Sequence, residues 1–397
     1  MMVLEETTED PYIKEPRRDP RLVVHSDTPM NAECPAYLLT ESYLTPPELF
    51  YIRHHHPVPY LTPAELAQFS IEIDISNYDK GRHVLALTLD DLAKLEKVEV
   101  TTTLQCSGNF RRGFNDFQRT SGTNWGQGAV STAKWGGVRL KDVFELAGLN
   151  DPIQAQEVGG MNHVCFTGID EMKASIPIEK VFNPYGDVIL AYEMNGQPVP
   201  RDHGGPVRVI VPGYSAVRNV KWVQHIKVSA EEADGPWQRG LNYKALPPSV
   251  TDANDVDISK MPPVTEASLY SGITKIESSR DGKEHVKAGD RVTAKVSGWA
   301  WAGGGRNIVR VDVTPDNGKT WHTAILKEGS NQRFGRAWAW TFWECDNIPC
   351  IVGEDGQIEL ASKAVDMALN AQPKSCRHSW NVRGLGNNSW FRAKRHV

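Results

Sequence analysis

Lys97-Val98-Glu99-Val100-Thr101-Thr102-Thr103-Leu104-Gln105-Cys106-Ser107-Gly108-Asn109 is the stretch that decides the fold of the first half of this chain. Its residues alternate. Val98, Val100, Thr102, Leu104 and Cys106 share one face, and Glu99, Thr101, Thr103 and Gln105 take the other, which is the period of a strand. Cys106 therefore leaves the strand tip on the inward face, where the turn formers Ser107, Gly108 and Asn109 end the run. Arg111 and Arg112 follow, so one thiol stands among anion-binding groups. A thiolate is the ligand that a soft or high-valent metal takes, and nearby guanidinium groups favour that ionised form. A lone cysteine is more often a small buried hydrophobe, so its surroundings must decide its role.

Outward from this strand, Thr62-Pro63-Ala64-Glu65 and Thr45-Pro46-Pro47-Glu48 carry the cap, proline and acid order that starts a helix, and a short helical turn is expected at each. A further helix is expected from Thr88, with Leu89, Leu92 and Leu95 on one side, and another over Leu140 to Ala147, stopped by Gly148. Between Cys106 and Leu140 the glycines predict a long loop of the functional kind. Residues 1–35 are polar, Pro-rich and without periodicity, and read as an extended arm. After Tyr243-Lys244-Ala245-Leu246-Pro247-Pro248 helical periodicity nearly vanishes, which places a boundary near 250. Domains are thus expected at 36–250 and 251–397. In the second, strand-like runs fall at about 275, Arg291 to Val296, Asn307 to Thr314, Lys319 to Leu326, Ala337 to Phe342 and Ile358 to Val365. Turns such as Asp316-Asn317-Gly318 separate them, the pattern of a β-sandwich. Trp338, Trp340 and Phe342 share one face and read as core or interface.

Composition removes several function classes. With 397 residues the chain is long enough for two or three cores. No apolar run approaches the 18 residues of a membrane span, so no membrane partner is expected. A net charge of -5 argues against a broad nucleic-acid surface. The six cysteines form no C-x-x-C pair and no C-x-x-C-H haem attachment site. Met1 to Asp19 lacks an apolar signal core, which predicts a cytoplasmic location, with the peroxisome or the mitochondrial intermembrane space as alternatives.

Cys106-Ser107-Gly108-Asn109-Phe110-Arg111-Arg112 resembles the cysteine motif of the sulfite oxidase family of molybdenum enzymes, with one arginine position changed to Phe110. Further matches follow in the family's order: Leu190 to Gly196, Arg201-Asp202-His203-Gly204, Val207 to Gly213, Val220-Lys221-Trp222 and Trp380-Asn381-Val382-Arg383-Gly384. The likeness runs from about Asn31 to the C-terminus. It implies an α+β molybdopterin-binding domain followed by an all-β immunoglobulin-like sandwich that makes a homodimer. It also implies a molybdenum-pyranopterin cofactor with Cys106 as the metal ligand, and oxygen-atom transfer that oxidises sulfite to sulfate. An H-P-G-G haem motif is absent, so no haem is expected in this chain, and electrons would pass to oxygen or to a separate cytochrome.

By the same resemblance Tyr51, Ile52, Arg53, His54 and His55 fall in a cofactor-contacting segment, and Asp170, His203, Arg208, Asn219, Val220 and Lys221 fall on cofactor-binding positions. Arg53, Arg111 and Arg383 fall on the substrate arginines, Trp125 on the pocket tryptophan and Tyr243 on the active-site tyrosine. Sulfite is a small anion, and guanidinium forks match its oxygens while staying charged. Arg111 is preferred to Arg112 by its count from Cys106. Read without the resemblance, Arg208 is the most telling residue, because it interrupts the apolar run Val207 to Val211, where a charge needs a partner. Lys221 beside Trp222 could snorkel to solvent, and Asp170 could be a turn residue.

Three rival readings follow from the same residues. His54-His55-His56 could suggest zinc, although adjacent side chains on an extended segment diverge. A nitrate reductase-type molybdenum domain shares the resemblance; Arg383 speaks against it, and Asn387 to Arg392 speaks for it. The third is a non-catalytic immunoglobulin-type binding protein.

Overall fold

The computed structural model describes residues 10–79, 81, 84–279 and 285–397. Its first unit is built on two five-stranded sheets. In one, Lys97–Gln105 pairs antiparallel with Val130–Arg139, from Lys97 opposite Val138 to Gln105 opposite Val130, and Ile189–Met194, Gln197–Pro198 and Arg208–Ile210 complete it. The other runs in the order Leu85–Thr88, Ser70–Asp74, Val223–Ser229, His163–Gly168, Lys173–Pro177, with Ser70–Asp74 and Val223–Ser229 parallel. Their apolar faces and several short helices enclose a core that includes Ile71, Phe144, Val164, Phe166, Leu190, Val209 and Ile226. The helix Leu140–Ala147 ends on Gly148 at φ 100°. Eight residues are too few for a helix to stand alone in water. Its stability comes from burying Leu140, Val143 and Phe144, at about 1.5–3 kcal/mol for each large side chain.

The second unit is a sandwich of two four-stranded sheets. One holds Leu269–Ser279, Arg291–Ala302, Thr341–Ile351 and Ile325–Leu326, and the other His322–Thr323, Ile308–Thr314, Gln357–Asp366 and Phe391–His396. Val296, Val311, Trp343, Ile348 and Leu360 fill the space between them. No helix among the described residues is long and apolar enough to cross a membrane.

Caps at Thr62 and Thr88 form as the sequence predicts, each with its hydroxyl and the acid three residues on satisfying opposed backbone N–H groups. Thr45 behaves differently. Its hydroxyl accepts the Thr132 N–H instead of capping, although the expected short helical turn does form, as a 3-10 turn at Pro47–Leu49. The expected loop from Cys106 to Leu140 ends in a ten-residue strand. Val130–Arg139 contains Gly136 and Gly137, and a Cβ on Gly137 would lie 2.0 Å from the Leu190 carbonyl oxygen, so glycine there permits close strand pairing. Nor is the described part of the N-terminal region a free arm. Val23–Asp27 and Met30–Glu33 form a hairpin that pairs with Ile52–Arg53. Residues 1–9 of the expected arm lie outside the described residues.

Ala337 to Trp340 precedes a strand that begins at Thr341. Trp338 and Trp340 lie on the seam between the two units. The Thr103 N–H donates to the Trp338 carbonyl at 3.0 Å, and the Trp340 N–H to the Thr103 hydroxyl at 2.8 Å. Trp299, Trp301 and Trp340 pack there with Cys34, Leu39 and Val130.

Candidate active site

Cys106 follows directly on the strand Lys97–Gln105. Its N–H donates to Ala129 and its carbonyl accepts from Asn109, whose side chain in turn takes the Ala129 N–H. This tight turn leaves the thiol on the wall of a cleft that opens to solvent. The sulfur atoms of Cys34, Cys165, Cys345, Cys350 and Cys376 donate to backbone carbonyls. Among the described residues Cys106 alone of the six makes no such bond.

Tyr51, Arg53, His55, His203, Arg208, Asn219, Lys221 and Tyr243 line the same cleft. Arg208 donates to the Asn219 carbonyl at 3.3 Å and to the His203 carbonyl at 3.0 Å, and its guanidinium lies 5.3 Å from the centre of the Trp135 ring. Burial pushes it down to about 10. Lys221 is held well below its ordinary pKa by burial and then by Arg208, against the opposing pull of Asp170 and Asp202. His203, whose ring approaches the Pro47 carbonyl at 2.7 Å, is lowered by burial to about 4.

Burial also lowers His55, to about 2, with Arg53 the next cause, so its ring is neutral. Arg53 can only donate, and it lies 3.2 Å from His55 Nδ1. The ring proton therefore sits on Nε2, 3.4 Å from the Tyr243 oxygen, and the Tyr243 hydroxyl proton is free to point away from the ring. Tyr243 itself is raised by burial, with Arg53 and Arg111 pulling it down.

Arg111 comes from the short helix Arg111–Asn115, which turns it inward while Arg112 lines a separate groove. Its guanidinium donates to the carbonyls of Arg383 and Thr123. Three glycines enclose it. A Cβ on Gly108, Gly122 or Gly384 would come within 2.5, 3.1 or 2.7 Å of its atoms. Arg383 reaches the Ser121 hydroxyl and the Asn242 side-chain oxygen, both at 2.8 Å. Burial lowers both guanidiniums; Cys106 opposes this at Arg111 and Tyr243 at Arg383. Trp125 is fully buried and packs in the same cluster as Cys106.

The remaining residues stand apart. The Ile52 side chain packs with Leu22 and Ala32, and that of Val220 joins the main core, so only their backbones can face a ligand. The three histidines diverge: His54 meets Asp202, His55 meets Arg53 and Tyr243, and His56 meets Asp170 at 3.5 Å. Among the described residues no group of three His, Cys, Asp or Glu is arranged to hold a metal, which removes the zinc reading of that triplet. Sequence reasoning missed Asp202 and the Ser107–Ser215 hydroxyl pair as parts of this site. Asp202 was visible within the Arg201-Asp202-His203-Gly204 motif; Ser215 carried no signal.

Among the described residues none of Arg53, Arg111, Arg208 and Arg383 has a carboxylate within ion-pair distance, while the nearby acids are engaged, Asp202 by Arg18 and His54, Asp170 by His56. Unpaired buried charge costs several kcal/mol, so this excess calls for anions. A soft thiol facing clustered cations fits a phosphate-bearing pterin that carries a metal.

Such a site on this two-unit fold defines a molybdopterin-binding oxidoreductase. Residues 55–237 match the oxidoreductase molybdopterin binding domain, and residues 266–397 the Mo-co oxidoreductase dimerisation domain. The mitochondrial sulfite oxidase of Rattus norvegicus is 43% identical over 96% of this chain and 67% of its own length, and the sulfite oxidase of Arabidopsis thaliana 37% identical over 96% and 95%. The nitrate reductase [NAD(P)H] of Hordeum vulgare is 34% identical over 99% of this chain but only 43% of its own length. The solved sulfane dehydrogenase SoxCD of Paracoccus pantotrophus shares the fold, with a TM-score of 0.69 and 24% identity over 96% of this chain and 86% of that one. The chain belongs to the sulfite oxidase family, and the reading of its N-terminal half as a non-catalytic recognition module falls.

Proposed function

We propose that this protein oxidises sulfite to sulfate, water supplying the added oxygen and two protons and two electrons being released. The supporting observation is the convergence of Arg53, Arg111 and Arg383 near a cysteine thiol, with no carboxylate paired to any of them among the described residues. Bound molybdenum pyranopterin supplies the oxygen-atom transfer and accepts the electron pair. Cys106 would be its thiolate ligand, and Arg208, Lys221, His203 and Asn219 would hold its polar and anionic groups.

The protein's own part is binding and orientation. The three guanidiniums draw in the dianion and offset its charge as it approaches the metal. Arg111 is held by backbone carbonyls and glycines, so little reorganisation is needed when the anion arrives. Tyr243, its oxygen accepting from His55, directs its proton toward the cleft and donates to a bound oxyanion.

Nitrate reduction is the second reading. Asn387 to Arg392, the segment that favours it in sequence, bonds instead to the Phe110 carbonyl, Glu359 and Asn317, away from the cleft, and Arg383 suits a dianion better than nitrate. We further propose a homodimer joined through residues beyond 250, and electron transfer to oxygen or to a separate cytochrome. The deciding experiment measures molybdenum content together with sulfite-dependent reduction of oxygen, ferricyanide and cytochrome c. A molybdenum-free protein, or one that reduces nitrate and ignores sulfite, would refute the proposal, and light scattering at micromolar concentration tests the dimer.

A further inference from the structure

We infer that residues 10–18 form a clasp behind the wall of the cleft that carries Lys221, in which Arg18 is a positioning residue that slows loss of the pyranopterin; this rests on the cleft being that group's site. Arg18 Nε lies 3.2 Å from both oxygens of Asp202, and its Nη2 lies 2.8 Å from Oδ1. The same Nη2 meets Glu15, whose other oxygen accepts the Val58 N–H at 2.8 Å. Lys14 adds a second hold, its carbonyl accepting from Arg201 at 3.0 Å. These side chains are enclosed, with 12% of Arg18 and 10% of Asp202 exposed.

From Asp202 the connection runs inward. Oδ1 lies 3.0 Å from His54 Nε2, and the imidazole, 1% exposed, meets Lys221 Nζ at its other nitrogen. A carboxylate accepts and an ammonium donates, so one arrangement satisfies both: His54 neutral, its proton on Nε2, its Nδ1 lone pair taking a Lys221 N–H. The other Lys221 donors go to the carbonyls of Arg53 at 3.2 Å and Asp202 at 3.4 Å. Lys221 is thereby fixed on the cleft wall beside Arg208.

Arg18 has an electrostatic role beyond anchoring the segment. Asp202 is a buried anion on the same wall, and without a cation behind it its charge would offset that of Lys221 and pull the ammonium away from the cleft. With Arg18 in place the carboxylate is neutralised from outside, and the charge of Lys221 is left for an anion inside. Groups that orient a ligand-binding residue without touching the ligand commonly change affinity on the order of tenfold or more.

The test compares holoenzyme of the wild type with Arg18→Met, Arg18→Lys and Arg21→Met. Arg21 lies three residues beyond Arg18 and, among the described residues, pairs only with Asp19, on the surface. Pterin released with time is followed by the fluorescence of its oxidised form in the filtrate, and retained molybdenum by elemental analysis, with circular dichroism as a check on folding. We expect Arg18→Met to release pterin on the order of tenfold faster than wild type, Arg18→Lys to fall between the two, and Arg21→Met to match the wild type. Equal release from Arg18→Met and wild type, or equal acceleration by Arg21→Met, overturns the clasp. So does an Arg18→Lys variant no better than Arg18→Met, since a merely steric role would not be rescued by charge. Should Arg18→Met not fold, Arg18→Lys decides alone: faster release than wild type supports the clasp and an equal rate overturns it. A wild-type protein that carries no pterin sinks the cleft assignment itself, whereas pterin held equally by wild type and Arg18→Met sinks only the clasp.

Discussion

Replacing Gly108 by alanine adds one methyl group and asks whether the position of Arg111 controls substrate binding. Gly108 has an ordinary backbone conformation, so alanine costs little in folding. Its Cβ, however, would stand 2.5, 2.6 and 2.7 Å from Nη2, Nη1 and Cζ of Arg111. The guanidinium must retreat by about 0.9 Å to reach the 3.4 Å at which ordinary contact begins. Retreat is confined by Gly122 and Gly384, and any movement stretches the bonds to Thr123 and Arg383. A displaced fork loses most of a charge-assisted hydrogen bond to the substrate, worth about 1.5–3 kcal/mol. At about 1.4 kcal/mol per tenfold, kcat/KM for sulfite should fall about 10- to 150-fold, chiefly through KM. Steady-state kinetics normalised to bound molybdenum measure it, with Tm as the control on folding. An unchanged KM in a protein that melts like the wild type would refute the assignment of Arg111.

Cys106→Ser should abolish turnover while the protein stays folded and keeps its pterin, because a hydroxyl is a poor substitute for a soft thiolate; sulfite turnover per molybdenum close to wild type would exclude Cys106 as the ligand. For pH, His203 is fully buried with its pKa lowered to about 4, so the unfolded chain takes up the proton first. Its contribution to stability is complete above the unfolded value of about 6.5 and is lost as the pH falls toward 4. His203→Gln should therefore lose less stability than wild type between those limits, and parallel Tm profiles would count against this. Trp340→Ala, which empties a fully buried site on the seam, should cost about 3–5 kcal/mol, seen in the midpoint of denaturant unfolding; a loss below 1 kcal/mol would mean the seam is loosely packed.

Much of this was legible along the chain wherever the cause is local. The alternation up to Cys106, the caps at Thr62 and Thr88 and the stop at Gly148 each depend on residues within a turn of one another. The short helical turn expected after Thr45 forms at Pro47–Leu49, but its cap does not, because the Thr45 hydroxyl is taken by Thr132, a partner supplied only by the folded sheet. Gly136 and Gly137 read as loop because nothing in the sequence announces that another strand's carbonyl closes on them. Arg111 and Arg112 differ in nothing local, and only the turn of their short helix buries one beside Cys106 and Arg383 and sends the other to a separate groove. Arg18 and Asp202 were invisible as a pair, being 184 positions apart. The family motifs named most residues of the cleft, yet not that Ile52 and Val220 present only their backbones.

Thr103 stands three residues before Cys106; its amide donates to the Trp338 carbonyl of the second unit, and its hydroxyl, which also meets the Thr132 hydroxyl, accepts the Trp340 N–H. The strand that delivers the cysteine is thus splinted by the sandwich. Neither half is an independent part that evolution or an engineer could exchange without resetting the other. Cut near residue 250, the N-terminal fragment would leave the amide and hydroxyl of Thr103 without their Trp338 and Trp340 partners and bare the aromatic seam. The C-terminal half is, in this sense, part of the catalytic scaffold.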